Sequence, residues 1–425
     1  MLKPPLPLTT LLGKAVREVA KLRGGGSALP GLFVETIDKD FIRTCLASLP
    51  RGVVIISGTN GKTTTTKMVV ELLEGQGLTV FTNRTGSNFT RGVAAALLGE
   101  IDARGKLAAD IAVLELDEAH AVHFVRNVKP RYSLLLNVMR DQLDRFGEID
   151  ATARMLRTIA EETSDVIVIN REDPRLLAVS MALPSDKVRY FGLDATLRSK
   201  FPSDDDMRGT PKTENHFPRS ISTLESISGN TASITLGVKS ISATLKLEGV
   251  YNIFNAVAAV ALVQSITGES TDYTKLTSTL ETITPAFGRG EKLLIDGKPL
   301  ELVLVKNPGG FRLGLSSFDP AGYATMIAIN DNYADGRDMS WLWDVEFESL
   351  APSISHVSGV RAYDMALRLQ YDEIDVATVE PDLSKALRNF IHANQDAPKR
   401  IYCSYTAMLA LRRELAKLTE VEVIS

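Results

Sequence analysis

Cysteine is nearly missing from this chain: Cys45 and Cys403 are the only two in 425 residues. Two thiols build neither a disulfide framework nor a four-cysteine zinc site, so no structural zinc site is expected. An excess of charge is missing as well. The 48 Lys+Arg against 52 Asp+Glu leave a net charge of −4. Broad non-specific attraction to nucleic acid or to anionic membrane needs a basic surface, and this balance does not supply one. No unbroken apolar run approaches the ~18 residues of a bilayer span, so no transmembrane segment is expected. Three prolines within Met1–Pro7 interrupt any export-signal core. The expectation is a reduced, cytoplasmic protein with no nucleic-acid partner. What is present is ordinary globular material: 44% hydrophobic and 24% charged residues, enough for a core and for two or three domains.

The first fifty residues predict a helix from Thr9 to about Leu22, stopped by Gly24-Gly25-Gly26. Its Lys14, Arg17, Lys21 and Arg23 suit lipid headgroups, although packing on the next domain is the preferred reading. Strands and helices then alternate. Val53–Ile56, Leu78–Phe81, Ile111–Leu116, Ser133–Asn137 and Val166–Ile169 read as strands. They are mostly unbroken apolar runs, as buried parallel strands are, and the helices between them imply right-handed crossovers. A surface insertion is expected at about 194–220, then a hairpin over Ser233–Leu236 and Ser240–Leu247, and a helix from Ile253 to Ile266. Thr284–Lys298, with Pro285, Gly288, Gly290 and Gly297, resembles a hinge. Beyond it, strands at Leu302–Val305, Thr325–Ile329 and His356–Ser358 and helices near 361–370 and 384–394 form a second α/β series.

Gly58-Thr59-Asn60-Gly61-Lys62-Thr63-Thr64 follows the first strand and opens a helix. Its glycines let backbone N–H groups approach phosphate, and the helix N-terminus adds favourable partial charge. Lys62 neutralises the terminal phosphates, and the Thr63 hydroxyl is placed to ligate Mg²⁺. Glu115 ends the third strand, where a carboxylate suits the metal beside such a loop. Asp117 and Glu118 fit a solvated strand end better. Asn137–Asp144 forms a second polar cluster at the same sheet edge.

These segments, with Tyr251-Asn252-Ile253-Phe254-Asn255-Ala256, occur in the order found in the ATP-dependent Mur ligases and their folylpolyglutamate synthase relatives. The chain resembles that family. It is most similar to the MurT subunits of lipid II isoglutaminyl synthase, through Arg140–Asp150, Phe287–Glu291, Lys306-Asn307-Pro308, Asn330–Asp338, Trp341–Asp344 and Ser358–Asp364. The resemblance implies an α/β fold: a Mur-ligase-like central P-loop ATPase domain with a parallel sheet, plus a smaller C-terminal α/β domain. The implied division is 1–48, a helical segment; 49–290, the central domain; and 291–425, the C-terminal domain. ATP and Mg²⁺ are the implied cofactors. Lys62 and Glu115 would be catalytic, with Thr63 and Glu115 on the metal. Gly58, Thr59, Asn60, Gly61, Lys62, Thr63 and Thr64 would hold phosphate, Asn255 the adenine and Arg289 the nucleotide near the hinge.

The implied reaction is ATP-dependent amidation of the D-glutamate α-carboxylate in the lipid II stem peptide, through an acyl phosphate. Ammonia would come from a GatD-type glutaminase, and the location would be cytoplasmic, at most peripheral to the membrane's inner face. One aspartate would complete the partner's Cys–His pair. Asp335, Asp338 and Asp344 are candidates, and Asp338, in the Gly336-Arg337-Asp338 loop, is chosen. Some features depart from the amino-acid-adding members. Gln142 stands where many Mur ligases have histidine, and residues 146–165 hold no lysine that could be carbamylated. Separately, the four cysteines of the zinc ribbon that many MurT proteins carry are lacking. Two other readings remain: a free-standing ligase that adds an amino acid, and a nucleotide-gated scaffold without chemistry. His120 and His123 are given surface or packing roles, Cys403 a buried one. Trp341 and Trp343 suit either a core or a partner interface.

Overall fold

A computed structural model describes residues 5–22, 29–83, 89–140, 149–203, 217–247, 249–284, 289–317 and 320–421. Among these residues, nine strands form one sheet in the order β2-β3-β1-β4-β5-β6-β7-β8-β9. They are β1 Val53–Ser57, β2 Val80–Thr82, β3 Ile111–Glu115, β4 Tyr132–Leu135, β5 Val166–Asn170, β6 Val188–Leu193, β7 Ser222–Ser228, β8 Thr231–Leu236 and β9 Lys239–Thr244. Pairing is parallel from β2 to β7 and antiparallel for β7-β8-β9. A second, six-stranded sheet has the order β10-β11-β15-β12-β13-β14. Its strands are β10 Arg289–Ile295, β11 Lys298–Leu304, β12 Ala324–Ala328, β13 Ser353–Ser358, β14 Asp375–Glu380 and β15 Lys399–Cys403. Only the β10–β11 pair is antiparallel.

The two-residue side-chain period explains why these strands are apolar throughout. Val54 and Ile56 enter the core on one face of β1, while Val53 and Ile55 enter the core on the other. β3 does the same with Ile111 and Val113 against Ala112 and Leu114. Both faces are covered by helices, so neither can be polar. On the first face lies the helix Val250–Thr267, whose residues Ala256 to Val263 are fully buried. That helix is long and apolar enough, by length and composition, to cross a bilayer, although Asn252, Asn255 and Gln264 interrupt its apolar run. Here its apolar surface is spent on the core.

Other expectations also shift. The helix after the Gly-rich loop starts at Lys62, inside the loop motif itself. The N-terminal helix starts at Leu6, with Pro7 in its first turn, where a missing N–H costs nothing. From Arg289 onward the supposed hinge is a hairpin. Asp296 and Gly297, at φ 50° and 75°, form its two-residue turn. Residues 204–216 of the insertion and 285–288 of the hinge lie outside the described residues. β6, β7, β10, β14 and β15 were not foreseen. β15 reads Lys-Arg-Ile-Tyr-Cys, yet all five residues are buried. Arg400 can be there because both its Nε and Nη2 lie 2.8 Å from Glu301 Oε2 on the neighbouring β11.

Replacing Leu262 with alanine removes side-chain volume from the centre of the first core. It should lower unfolding stability by about 2–5 kcal/mol, read as a shift of the urea midpoint followed by circular dichroism.

Candidate active site

β1 lies between β3 and β4, and the chain crosses from one side of it to the other. The carboxyl ends of these strands therefore meet at a topological switch point, where parallel sheets open a crevice. The loop Gly58–Gly61 leaves β1 there. Gly58 has φ 134°, and a Cβ on it would come within 3.0 Å of the Asn137 backbone. Gly61 has φ 88°, and its Cβ would fall 2.6 Å from Asn255 Oδ1. Both positions need glycine, for backbone angle and for space.

The loop is fastened to the segment that continues β4. Thr59 N–H donates to Asn137 O (3.0 Å), and Met139 N–H donates to Thr59 Oγ1 (3.0 Å). Asn137 pairs with the Asn60 backbone twice: it accepts from Asn60 N–H at 2.9 Å and donates to Asn60 O at 3.0 Å. Lys62 and Thr63 follow, in the first turn of the helix Lys62–Gly75. Lys62 Nζ donates to Gly58 O (2.6 Å) and lies 3.3 Å from Glu118. Glu118 is buried, which corrects its reading as a solvated strand end. Asp117 caps the helix Glu118–Asn127 through Ala119 N–H.

Thr63 Oγ1 donates to Glu115 Oε1 at 2.8 Å. Asn83, at the end of β2, clasps the Glu115 backbone: it donates to Glu115 O at 2.8 Å and accepts from Glu115 N–H at 3.0 Å. A hydroxyl and a carboxylate side by side form a hard, all-oxygen donor set. That set fits a small divalent cation such as Mg²⁺, with water completing the shell. No cluster of three or more His, Cys, Asp or Glu suited to a metal occurs among the described residues.

Asn255 faces a cleft that also includes Asn60, Thr64, Tyr251 and, from the second sheet's side, Lys306 and Gly310. Asn60 and Asn307 bridge the two sides, with Asn307 Nδ2 donating to Asn60 Oδ1 at 3.2 Å. Arg140 reaches across to Asp344 at 2.8 Å. Arg289 opens β10, and its side chain lies outside the described residues, as do Gln142 and the rest of 141–148.

The three aspartates on the second unit differ in setting. Asp335 is buried and accepts from Asn332 N–H and from both the amide and hydroxyl of Thr406, so it holds its own loop. Asp344 is paired with Arg140. Asp338 is half-buried and accepts from Ser340 N–H at 2.9 Å, and the Ser340 hydrogen bonds hold its carboxyl below the usual range. Trp341 packs inside against Phe311, whereas Trp343 is 50% exposed and lies edge-on to Tyr371. His120 packs edge-on against Phe89 at 4.3 Å, and His123 is exposed. Cys403 is buried, and burial pushes its thiol up, away from nucleophile chemistry.

Residues 56–263 match the Mur ligase middle domain family, and 304–408 match the MurT ligase C-terminal family. The MurT subunit of lipid II isoglutaminyl synthase from Streptococcus pneumoniae is 30% identical over 96% of both chains. The chain belongs to the MurT family. The corresponding subunit from Staphylococcus aureus strain COL is 31% identical over 89% of this chain and 90% of its own. Among solved structures, the MurF ligase of Thermotoga maritima in complex with ADP shares the fold. Its TM-score is 0.65 at 16% identity, covering 88% of this chain and 83% of that one. A MurT-family chain on this α/β scaffold is an ATP-dependent ligase of peptidoglycan synthesis.

Asn83, Glu118 and Asn307 escaped as site residues because each acts through backbone or a distant partner, which no local motif signals, whereas Asn137 was flagged only as the start of a polar cluster. Asp173 escaped too. It caps the helix Pro174–Ser180 and accepts from Val138 N–H at 2.6 Å, fixing the segment that fastens the loop. Complete burial outweighs its amide donors and pushes its carboxyl from 3.8 to about 6. A carboxyl raised on folding contributes stability that is full below about pH 4 and lost as the pH rises through about 6. Asp173→Asn should remove that slope, and denaturant midpoints at a series of pH values would show it.

Proposed function

We propose that this chain amidates the α-carboxylate of D-glutamate in the lipid II stem peptide, giving D-isoglutamine. In this reading a carboxylate oxygen attacks the γ-phosphorus of ATP and ADP leaves. Ammonia then attacks the acyl carbon of the acyl phosphate, and inorganic phosphate departs. The demand on the protein is alignment and charge neutralisation, not a nucleophile of its own. The observation that carries the reading is the Thr63–Glu115 pair at 2.8 Å beside Lys62, on a glycine loop at the sheet's switch point. Bound Mg²⁺ would neutralise phosphate oxygens there, with Thr63 and Glu115 as its protein ligands. Lys62 would exchange its loop carbonyl for the terminal phosphates, Asn255 would meet the adenine, and Arg289 the nucleotide.

The three-part division at 48/49 and 290/291 belongs to this reading, as does a cytoplasmic location. So does a GatD-type glutaminase partner. The curated relatives are named as subunits of a glutamine-hydrolysing synthase, which supports ammonia delivery by a second chain. Of the three candidate aspartates, Asp338 has the setting for work in trans. Asp335 and Asp344 are engaged within the chain, whereas Asp338 is held ionised by Ser340 on an accessible loop. The exposed Trp343, close to Asp338 in sequence, and Tyr371, which meets Trp343 edge-on, offer the aromatic surface such docking uses.

Lys62→Ala should lower ammonium-dependent ADP release by on the order of 10²–10³, and should also lower the melting temperature, because buried Glu118 loses Lys62 as its ion-pair partner. In the two-chain complex, Asp338→Asn should suppress glutamine-driven synthesis and spare synthesis from ammonium. Full glutaminase activity in Asp338→Asn would remove that residue from the triad. Turnover with an amino acid in place of ammonium would favour the free-standing ligase, and turnover with neither would favour the scaffold.

A further inference from the structure

The N-terminal helix Leu6–Leu22 lies with cations turned inward and leucines outward. Lys14 Nζ donates to Ile101 O at 2.6 Å and Arg17 Nη1 to Leu98 O at 3.4 Å. These carbonyls are at the C-terminal end of the helix Thr90–Glu100, where they carry partial negative charge and have no donor within the helix. Gly13 lies on the same inner face, where a Cβ would fall 2.6 Å from both Leu98 and Val34. Two cation contacts and one close approach fix the rotation of the helix. Lys14 and Arg17, expected from sequence to meet lipid headgroups, are therefore employed inside the protein.

The outer face carries Leu8, Leu11, Leu12, Val19 and Leu22, between 43% and 87% exposed. Their spacing places them on one stripe. Leu29 and Leu32 on the next helix, 52% and 38% exposed, add to the apolar surface. Seven of the large hydrophobic side chains exposed among the described residues thus fall within 25 positions. Scattered apolar residues need no explanation, but a stripe of this kind does.

We propose that this face docks on the surface of an anionic lipid bilayer. Charge selects that occupant. Residues 1–23 hold five basic residues and one acidic. With Lys14 and Arg17 engaged on the Thr90–Glu100 helix, Lys3, Lys21 and Arg23 against Glu18 still leave a net +2 in a chain whose total is −4. A leucine stripe on a basic segment complements a negatively charged membrane interface. A second copy of the chain would set like charge against like, so self-association through this face is disfavoured. The inference rests in part on the reading of a lipid-carried acceptor, because a head group tethered to a bilayer stays close to a surface-bound enzyme. The face is also linked to the ATP loop by a short path. Gly31, on the helix bearing Leu29 and Leu32, packs against Arg91 O, and Phe89 two residues earlier touches His120 on the helix that supplies Glu118 to Lys62.

The test is co-sedimentation of the full chain with vesicles of phosphatidylcholine, with and without phosphatidylglycerol, in the absence of nucleotide and acceptor. Binding to the anionic vesicles is expected, weaker as salt is raised. L11S combined with L12S should reduce it by about tenfold or more, with circular dichroism and ATP binding unchanged. V19S combined with L22S should act in the same direction. Val238→Ser, at a 95% exposed position on the β8–β9 turn, should have no effect. Equal sedimentation of wild type and both double variants would overturn the proposal, as would no binding by wild type. Loss of self-association or of a protein partner in the double variants, without vesicle binding by wild type, would assign the face to a protein interface and also overturn it. None of these results depends on turnover, so the ligase reading stands or falls separately through ammonium-dependent ADP release.

Discussion

The constraint on which the site depends is the turn of the chain at the end of β1, from Gly58 to Gly61. Two glycines in left-handed or open backbone conformations bend it, and Thr59 and Asn60 fasten it to Asn137 and Met139 beyond β4. Because that fastening is made by backbone groups and short polar side chains, the loop is pre-shaped. Its helix then begins at once, so Lys62 and Thr63 emerge at a helix N-terminus beside the end of β3. Glu115 is held there by Asn83 from the next strand. Three parallel strands and one extension thus position a lysine, a hydroxyl and a carboxylate without any of them being on a long loop. Such preorganisation is what a charge-neutralising catalyst needs, since nothing has to reorganise when phosphate charge develops.

The second sheet completes the cleft rather than the loop. Asn307 meets Asn60 and Asp344 meets Arg140, so the two sides touch through polar pairs exchangeable with water. Contacts of this type let the sides separate and close again at modest cost, unlike a shared apolar core. The chain's aspartates divide accordingly. Asp335 serves its own loop, Asp344 bridges the two sides, and Asp338 remains on an accessible turn. On the N-terminal helix, Lys14 and Arg17 cap a neighbouring helix and by doing so turn leucines toward solvent. In both places a polar contact inside the fold decides which groups face outward.

Much of this was legible in the chain itself. The parallel strands announced themselves because burial on both faces demands unbroken apolar runs, and Val53–Ile56 is one. Lys62, Thr63 and Glu115 were legible because their residue types, next to a strand and a Gly-rich turn, have few other uses. β15 was not, because Lys399 and Arg400 look like surface, and only the pairing of Arg400 with Glu301 about a hundred positions away makes burial tolerable. Glu118 was misread for the same reason: its partner Lys62 is 56 positions distant. The N-terminal helix was correctly periodic, but periodicity cannot say which stripe faces inward when both carry a use. Pairing across long sequence separation is the information that local pattern lacks.

The most direct test of the account follows oxygen. An acceptor whose reacting carboxylate carries ¹⁸O is turned over with ATP and ammonium, and the released phosphate is examined by mass spectrometry. One labelled oxygen should appear in the phosphate, because the carboxylate attacks the γ-phosphorus and later parts from that oxygen. Unlabelled phosphate alongside amide product would contradict activation of the carboxylate at this loop.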